Sequence, residues 1–89
     1  KGTIENAYTI SNGEYEVIEA EIIETSELIN KELKNSNFPE EIRIGAVLRN
    51  SKVIIPRSDF IFKKDDQVVF LAKKDSISFV ENIFRLSSV

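Results

Sequence analysis

The sequence contains neither cysteine nor histidine among its 89 residues. Without cysteine the chain cannot form a disulfide or use a thiol nucleophile, which fits a reducing compartment. Without histidine it lacks the most common general base and the most common protein ligand of transition metals. It also contains no glycine-rich phosphate loop and no recognisable nucleophile–base pair. We therefore expect no metal site, and we expect that the protein is not an enzyme.

Long apolar runs and basic surfaces are missing as well. No stretch approaches the roughly 20 consecutive apolar residues that a membrane-spanning helix needs, and no signal peptide is recognisable. The net charge of −3 argues against a nucleic-acid partner, because phosphate binding usually shows as a basic face. The lack of methionine indicates that the sequence is a piece of a longer protein.

The clearest feature that is present is a β-hairpin. Residues 42–49 alternate with a period of two, which predicts that even-numbered positions share one face of a strand and odd-numbered positions the other. The dipeptide Asn50-Ser51 predicts a two-residue turn, because asparagine tolerates positive φ. Residues 53–55 then predict the return strand, which Pro56 ends. The lone Gly45 inside the first strand indicates a bulge or a close backbone approach.

The other segments predict a small α+β domain. A glutamate-rich alternation predicts a strand over residues 14–24, and an apolar run predicts a strand covered on both faces over residues 67–72. Capping residues followed by apolar spacing predict a short helix over residues 27–34 and a C-terminal helix from about residue 76. The resulting order is β-α-β-β-β-α, with a mostly antiparallel or mixed sheet and the helices packed on it.

Two parts of the chain are predicted to differ in role. Residues 1–13 are expected to be either a linker from a preceding domain or an additional N-terminal strand, which would turn back at Asn12-Gly13. Residues 14–89 are expected to form the domain itself. Within it, Asp65 and Asp66 are predicted to serve in a turn rather than as a carboxylate pair, because adjacent side chains before a strand point apart.

Arg49 is the polar side chain with the most specific prediction. It stands at the end of a strand near Ile55 and Pro56, and an arginine beside such an apolar, proline-edged surface can bind a phosphate or carboxylate of a small ligand. The alternative is an arginine at the hairpin end that lies in water or pairs with a nearby carboxylate. Both interpretations stay open at this point.

The ordered set of segments resembles the RCK C-terminal (TrkA-C) domain family. The resemblance covers about residues 14–88 and is carried by the stretches EVIEAEI, FP, IGAVLRNSKVIIP, DDQVVFL and VENIFRLS. It is closest to the last C-terminal domain of potassium uptake subunits in that family, so the TrkA-C fold is the fold that it implies.

The resemblance also implies a function. The domain would be a regulatory and dimerisation module of a cytosolic TrkA-type subunit, peripheral at the inner face of the cell membrane, that gates a bacterial potassium transporter. It would pair as a homodimer and hold no cofactor in this fragment, while NAD(H) or an adenine nucleotide would bind a companion domain. In some relatives the counterparts of Arg49, Ile55 and Pro56 bind cyclic di-AMP. The alternative is therefore a sensor of a cyclic dinucleotide, or another anionic nucleotide, in a different cation transporter or antiporter.

Overall fold

Five strands form one antiparallel sheet. A computed structural model of the chain describes the backbone of residues 4–80 and the side chains of residues 8–80. The strands are β1 (Ile4–Ile10), β2 (Tyr15–Glu21), β3 (Ile42–Arg49), β4 (Lys52–Ile54) and β5 (Gln67–Lys73). Their order across the sheet is β1-β2-β5-β3-β4, and every neighbouring pair is antiparallel. The predicted α+β class with a small antiparallel sheet is confirmed.

The remaining regular structure is short. Single 3₁₀ turns occur at Ser11–Gly13, Leu33–Asn35 and Lys74–Ser76. Residues 77–80 are α-helical and follow the last of these turns, so a C-terminal helix is present as predicted. The part of this predicted helix that follows residue 80 lies outside the described residues. Where the sequence left a linker or a strand open for residues 1–13, the structure has strand β1, paired with β2.

The hairpin of β3 and β4 forms as predicted. Arg49 pairs with Lys52, so the connection contains only Asn50 and Ser51. Both turn residues have positive φ, 53° and 66° respectively. Two successive positive φ values define a type I′ turn, whose twist matches that of the flanking strands.

A bulge at Gly45 changes which side chains of β3 face the core. The register with β5 shifts between Ile44 and Ala46, so one residue is inserted there. Beyond the bulge Val47, with 0% exposure, joins Ile42 and Ile44 on the buried side. A single inserted residue exchanges the two faces of the strand from that point onward. The predicted strict alternation is therefore wrong after Gly45, although the bulge itself was expected.

The predicted helix over residues 27–34 is wrong. Asn30 has φ = 67°, which an α-helix does not accommodate. The backbone N–H of Asn30 donates to the carbonyl of Phe62 at 2.9 Å, and that of Leu33 donates to the carbonyl of Phe60 at 2.8 Å. These bonds to a distant segment replace the i to i−4 bonds of a helix. The segment is a chain of turns laid against residues 58–62.

The core lies on one face of the sheet. It is built from Ile18, Ala20, Ile22, Leu28, Ile42, Val47, Phe62, Val68, Phe70, Ala72 and Val80. In β5 only alternate residues are buried, and the residues between them are half-buried. The sequence predicted that β5 is covered on both faces. Among the described residues one face of β5 is buried and the other is only half-buried. The opposite face, here called the outer face, is half-exposed.

Candidate functional site

Arg49 lies at the C-terminal end of β3, on the same face as Val47 and beyond the Gly45 bulge. Its position follows from the bulge, because without the inserted residue its side chain would leave the opposite side of the sheet. The type I′ turn fixes the backbone that follows it. The side chain is thus directed across the sheet edge toward residues 60–66.

The guanidinium of Arg49 forms a bidentate pair with the carboxylate of Asp66. Nε donates to Oδ1 at 2.7 Å and Nη2 donates to Oδ2 at 2.7 Å. The Asp66 side chain is 1% exposed, whereas that of Arg49 is 28% exposed. Two parallel charge-assisted bonds of this kind have specific geometry and are stronger than neutral ones. Of the two sequence-based interpretations of Arg49, the structure shows the pairing with a nearby carboxylate.

The surroundings of the pair satisfy its remaining groups. Nη2 of Arg49 also donates to the carbonyl of Ile61 at 2.9 Å, and the backbone N–H of Lys63 donates to Oδ2 of Asp66 at 2.8 Å. Cζ of Arg49 lies 4.9 Å from the ring centroid of Phe60, within the range of a cation–π contact. The pair is therefore built into the loop that precedes β5.

The electrostatics of the pair keep Arg49 charged. The side-chain hydrogen bonds to Asp66 raise the pKa of Arg49 above its ordinary value, and the charge of Asp66 acts in the same direction, while partial burial opposes both. A raised pKa means that the stabilising charge is present below the unfolded value and is lost only as the pH rises through the strongly alkaline range. Arg49 is a constant cation under assay conditions.

The same loop is tied to the end of β2. The N–H of Asp65 donates to the carbonyl of Ile22 at 2.7 Å, and the N–H of Ile22 donates to the carbonyl of Asp66 at 2.9 Å. The Arg49–Asp66 pair thus connects three segments: the end of β3, the turn before β5 and the residue after β2. A shift of any one of these segments is resisted by the other two.

The structure places the other two predicted site residues on the surface. Ile55 is 72% exposed, and Pro56 is half-buried. Val53, on the preceding strand, is 66% exposed. The bonds of Arg49 to Asp66 and Ile61 use Nε and Nη2, so these two nitrogens are engaged by the loop before β5. Val53 pairs with Leu48 and therefore lies on the face of the sheet opposite Arg49.

Sequence reasoning missed Asp66 as a site residue. It gave Asp66 a turn role, and the turn is real, since the N–H of Asp66 donates to the carbonyl of Lys63 at 3.2 Å. A further signal was available in the sequence. An acidic residue directly before the apolar run of β5 and an arginine directly after the run of β3 come to the same sheet edge when those strands are antiparallel neighbours.

A groove between the 3₁₀ turn at Leu33–Asn35 and the start of β3 was also missed. We call it the β3 groove. Its volume is about 450 Å³, and it is lined by Leu33, Lys34, Asn37, Phe38, Ile42, Arg43 and Ile44. One wall of the groove is the loop that contains Leu33 and Lys34. This loop is held by hydrogen bonds between residues 30–34 and residues 58–62, which are far apart in the sequence, so local sequence patterns do not reveal it.

The described residues contain no arrangement for metal binding. Among residues 4–80, no three Asp, Glu, His or Cys side chains are grouped so as to hold a metal ion. In the same part of the chain, no helix is both long and apolar enough to cross a membrane.

Comparisons with known proteins agree on one family. The sequence profile of the TrkA-C domain matches residues 17–85. The chain is 39% identical over 98% of its length to the Trk system potassium uptake protein TrkA of Azorhizobium caulinodans, and covers 19% of that protein. It is 32% identical over 99% of its length to the protein of the same name from Haemophilus influenzae, and covers 20% of it. The chain thus spans about a fifth of these curated relatives.

A solved structure has the same fold. It is described as an RCK domain with cda, and it superposes with a TM-score of 0.62 at 21% sequence identity. The match covers 74% of this chain and 96% of the other. At this identity the likeness concerns the fold alone.

Proposed function

The chain belongs to the TrkA-C domain family, and from that premise we propose that it is the regulatory domain of a cytosolic TrkA-type subunit that controls bacterial potassium uptake. The observation that carries the proposal is the identity of 39% over nearly the whole chain with a named potassium uptake protein. The role is non-catalytic. In this proposal the domain lies at the inner face of the cell membrane, because the full-length protein contacts a potassium transporter there.

The proposed mechanism is mechanical. A change in the companion nucleotide-binding domain, which would hold NAD(H) or an adenine nucleotide, is passed through this domain to the transporter. Such coupling requires contacts that differ between two states. The Arg49–Asp66 pair supports this role because it joins the end of β3 to the loop before β5, which is itself bonded to Ile22 after β2.

A domain exchange tests the proposal. The last C-terminal domain of the Azorhizobium protein is replaced by this chain, and the chimera is expressed in a strain that lacks its own TrkA. We expect growth at low potassium and uptake of a potassium tracer to be restored. A chimera that accumulates normally yet gives no uptake would count against the proposed function. The unmodified relative, expressed from the same promoter, is the positive control.

Homodimer formation is a second part of the proposal, and the outer face of the sheet supports it. Half-buried Val17, Val69 and Leu71 lie at its centre, and Tyr8 and Val53, each 66% exposed, lie on it toward the two edges. An apolar face with residues from four of the five strands is typical of a subunit contact.

Analytical ultracentrifugation measures this association directly. We expect the wild-type chain to dimerise and the variant Leu71→Glu to sediment as a monomer with an unchanged far-UV CD spectrum. Lys52→Glu, an exposed position on β4, is the control and should dimerise like the wild type. A wild-type chain that stays monomeric at high concentration would contradict the proposal.

The exposed side chain of Ile55, next to Pro56 and soon after the hairpin turn that follows Arg49, favours a second function, the sensing of an anionic nucleotide. Three bonds of Arg49 use Nε and Nη2, and the two N–H groups of Nη1 take no part in them. A phosphate can approach Nη1 while an apolar or aromatic ring covers Ile55 and Pro56. The solved RCK domain of the same fold is described with cda, so cyclic di-AMP is the first nucleotide to test.

Thermal-shift titration with cyclic di-AMP and with adenine nucleotides tests this site. The informative variant is Ile55→Ser, because Ile55 is 72% exposed and its replacement should leave the fold intact. We expect ligand stabilisation in the wild type and its loss in Ile55→Ser. Lys31→Ser, at an exposed position in the turn segment before Leu33, is the control. If no nucleotide shifts the wild-type melting temperature, the domain is not such a sensor.

A further inference from the structure

We propose that the β3 groove binds an extended acidic peptide segment, which adds a strand to the free edge of β3. The proposal starts from the pairing of β3. β4 is short and pairs only with Val47, Leu48 and Arg49. In the described part of the chain, β5 is therefore the only strand beside residues 42–44.

The direction of the backbone bonds shows which groups face the groove. The N–H of Lys73 on β5 donates to the carbonyl of Glu41 at 3.1 Å, so Glu41 faces β5. The N–H of Ile42 instead donates to the carbonyl of Pro39 at 3.0 Å, away from β5. Because the direction alternates along an antiparallel strand, the N–H and C=O of Ile44 also point away from β5. Because the N–H of Ile42 is already bonded to Pro39, the template for strand addition consists of the carbonyl of Ile42 and the N–H and carbonyl of Ile44.

The groove offers an apolar floor for the side chains of such a peptide. Leu33, Phe38 and Ile44 are partly buried and pack against the core cluster, and Ile42 belongs to that cluster. A volume of about 450 Å³ exceeds that of a single side chain, so alternate residues of an extended segment can enter it together. An extended chain presents alternate side chains to one face, which suits a groove that runs along a strand.

The wall opposite β3 is already in place. The N–H of Leu33 donates to the carbonyl of Phe60 at 2.8 Å, and the N–H of Lys34 donates to the carbonyl of Ser58 at 2.9 Å. The hydroxyl of Ser36 donates to the carbonyl of Glu32 at 2.8 Å. A preformed wall reduces the ordering cost of binding.

The charge at the rim selects an acidic partner. Lys34 and Arg43 both line the groove and are exposed. Neither forms a salt bridge with another described residue, since the ion pairs there are Arg49–Asp66 and Lys64–Glu24. The charged side chains that line the groove are both cationic, while Glu40 and Glu41 lie with Arg43 on the surface beside it. The unpaired edge favours a peptide over a small anion, because only a peptide repeats the donors and acceptors that an edge offers.

NMR titration with defined peptides tests the proposal. The probe is Ac-EDVIVDE-NH2, followed by backbone amide shifts of the wild-type protein. Two further probes carry N-methyl groups, one at both valines and one at the isoleucine, so that alternate N–H groups are removed while the side chains stay. We expect saturable shifts confined to residues 33–46, and we expect only one of the two methylated peptides to lose binding.

The rim is tested by substitution. We expect Lys34→Gln/Arg43→Gln to weaken the binding about fivefold or more, in line with two partly exposed charge pairs. Lys52→Gln, an exposed lysine of β4, should leave the affinity unchanged. The peptide Ac-KKVIVKK-NH2 should not bind.

Several results would overturn the proposal. Absence of shifts up to about 2 mM peptide would mean that the groove has no useful affinity. Equal binding of both methylated peptides would exclude strand addition, and equal binding of the lysine peptide would exclude charge selection. Nuclear Overhauser contacts between residues 81–89 and the groove in the free protein would show that the chain's own end occupies it. Shifts centred on β1 or on Ile55 would place the peptide elsewhere.

Discussion

Replacement of Arg49 by methionine leaves a buried carboxylate without its cation. Methionine preserves much of the length and apolar packing of the arginine stem, so the main loss is the charge and its hydrogen bonds. The Asp66 side chain is 1% exposed and would keep the N–H of Lys63, at 2.8 Å, as a donor. An uncompensated charge in that position has neither water nor a counter-ion to replace the guanidinium. We therefore expect a large loss of stability.

The size of the loss follows from the burial of the two partners. Removing one partner of a buried ion pair costs about 3–5 kcal/mol. Arg49 is 28% exposed, so water screens part of the interaction and the lower end, about 3 kcal/mol, is expected. A domain of this size has a total stability of about 5–10 kcal/mol. The variant should fold at 25 °C, with a melting temperature roughly 12–24 °C lower.

Urea unfolding followed by far-UV CD measures the effect. Arg49→Met/Asp66→Leu, which replaces both partners by apolar residues, should recover to within about 1 kcal/mol of the wild type. Arg57→Met, at an exposed arginine in the loop after β4, is the control and should stay within about 0.5 kcal/mol. The reasoning is refuted if Arg49→Met costs less than about 1 kcal/mol, or if the double variant is no more stable than the single one.

Three further substitutions test the fold. Ser51→Gly should raise the free energy of unfolding by about 0.5–1 kcal/mol, because Ser51 has φ = 66° and glycine adopts this conformation without strain; an unchanged urea midpoint would contradict the turn assignment. Gly45→Ala should be neutral or slightly stabilising, since a Cβ there would lie 3.7 Å from the carbonyl oxygen of Val69, which is an ordinary contact. If the free energy of unfolding fell by more than about 1 kcal/mol in the same assay, the bulge would require glycine. Phe62→Ala should cost about 3–5 kcal/mol, because the ring is fully buried and packs edge-on against Phe60 at 5.5 Å between centroids; a melting temperature close to that of the wild type would place Phe62 outside the core.

The strands were predictable because their signals are local. The turn at Asn50-Ser51 uses a residue that tolerates positive φ, and the flanking runs have the period of a strand. A lone glycine in such a run indicated the bulge at Gly45. Its consequence for the faces was not predictable in the same way, because an inserted residue becomes visible only once β3 is aligned with β5.

The segment over residues 27–34 shows where local signals fail. Ser26 does act as a cap in one sense, since its Oγ accepts a hydrogen bond from the N–H of Leu28 at 3.1 Å. No helix follows, because the N–H groups of Asn30 and Leu33 find acceptors near residues 60–62. A short stretch with a narrow apolar stripe has little helical stability of its own, and tertiary hydrogen bonds decide its conformation.

The candidate site was half predictable. Arg49 could be singled out because an arginine at a strand end beside apolar residues is chemically conspicuous. Its partnership with Asp66 depends on β3 and β5 being neighbours, and the two residues are separated by 17 positions. The sequence alone allowed solvent, a carboxylate or a ligand as partner, and the strand order brings the carboxylate of Asp66 to Arg49.

The strand order β1-β2-β5-β3-β4 also determines how the domain can be assembled. Among the described residues, β1 and β2 form one hairpin, β3 and β4 form another, and β5 is the strand that pairs with both hairpins. During synthesis on the ribosome both hairpins emerge with their apolar faces exposed to water. They can pair into one sheet only after residues 67–73, which form β5, have been synthesised. A chain that ends before β5 would therefore hold its two hairpins together only through residues 22–41, without the strand that pairs with both, and its uncovered apolar faces would be exposed to proteases and chaperones.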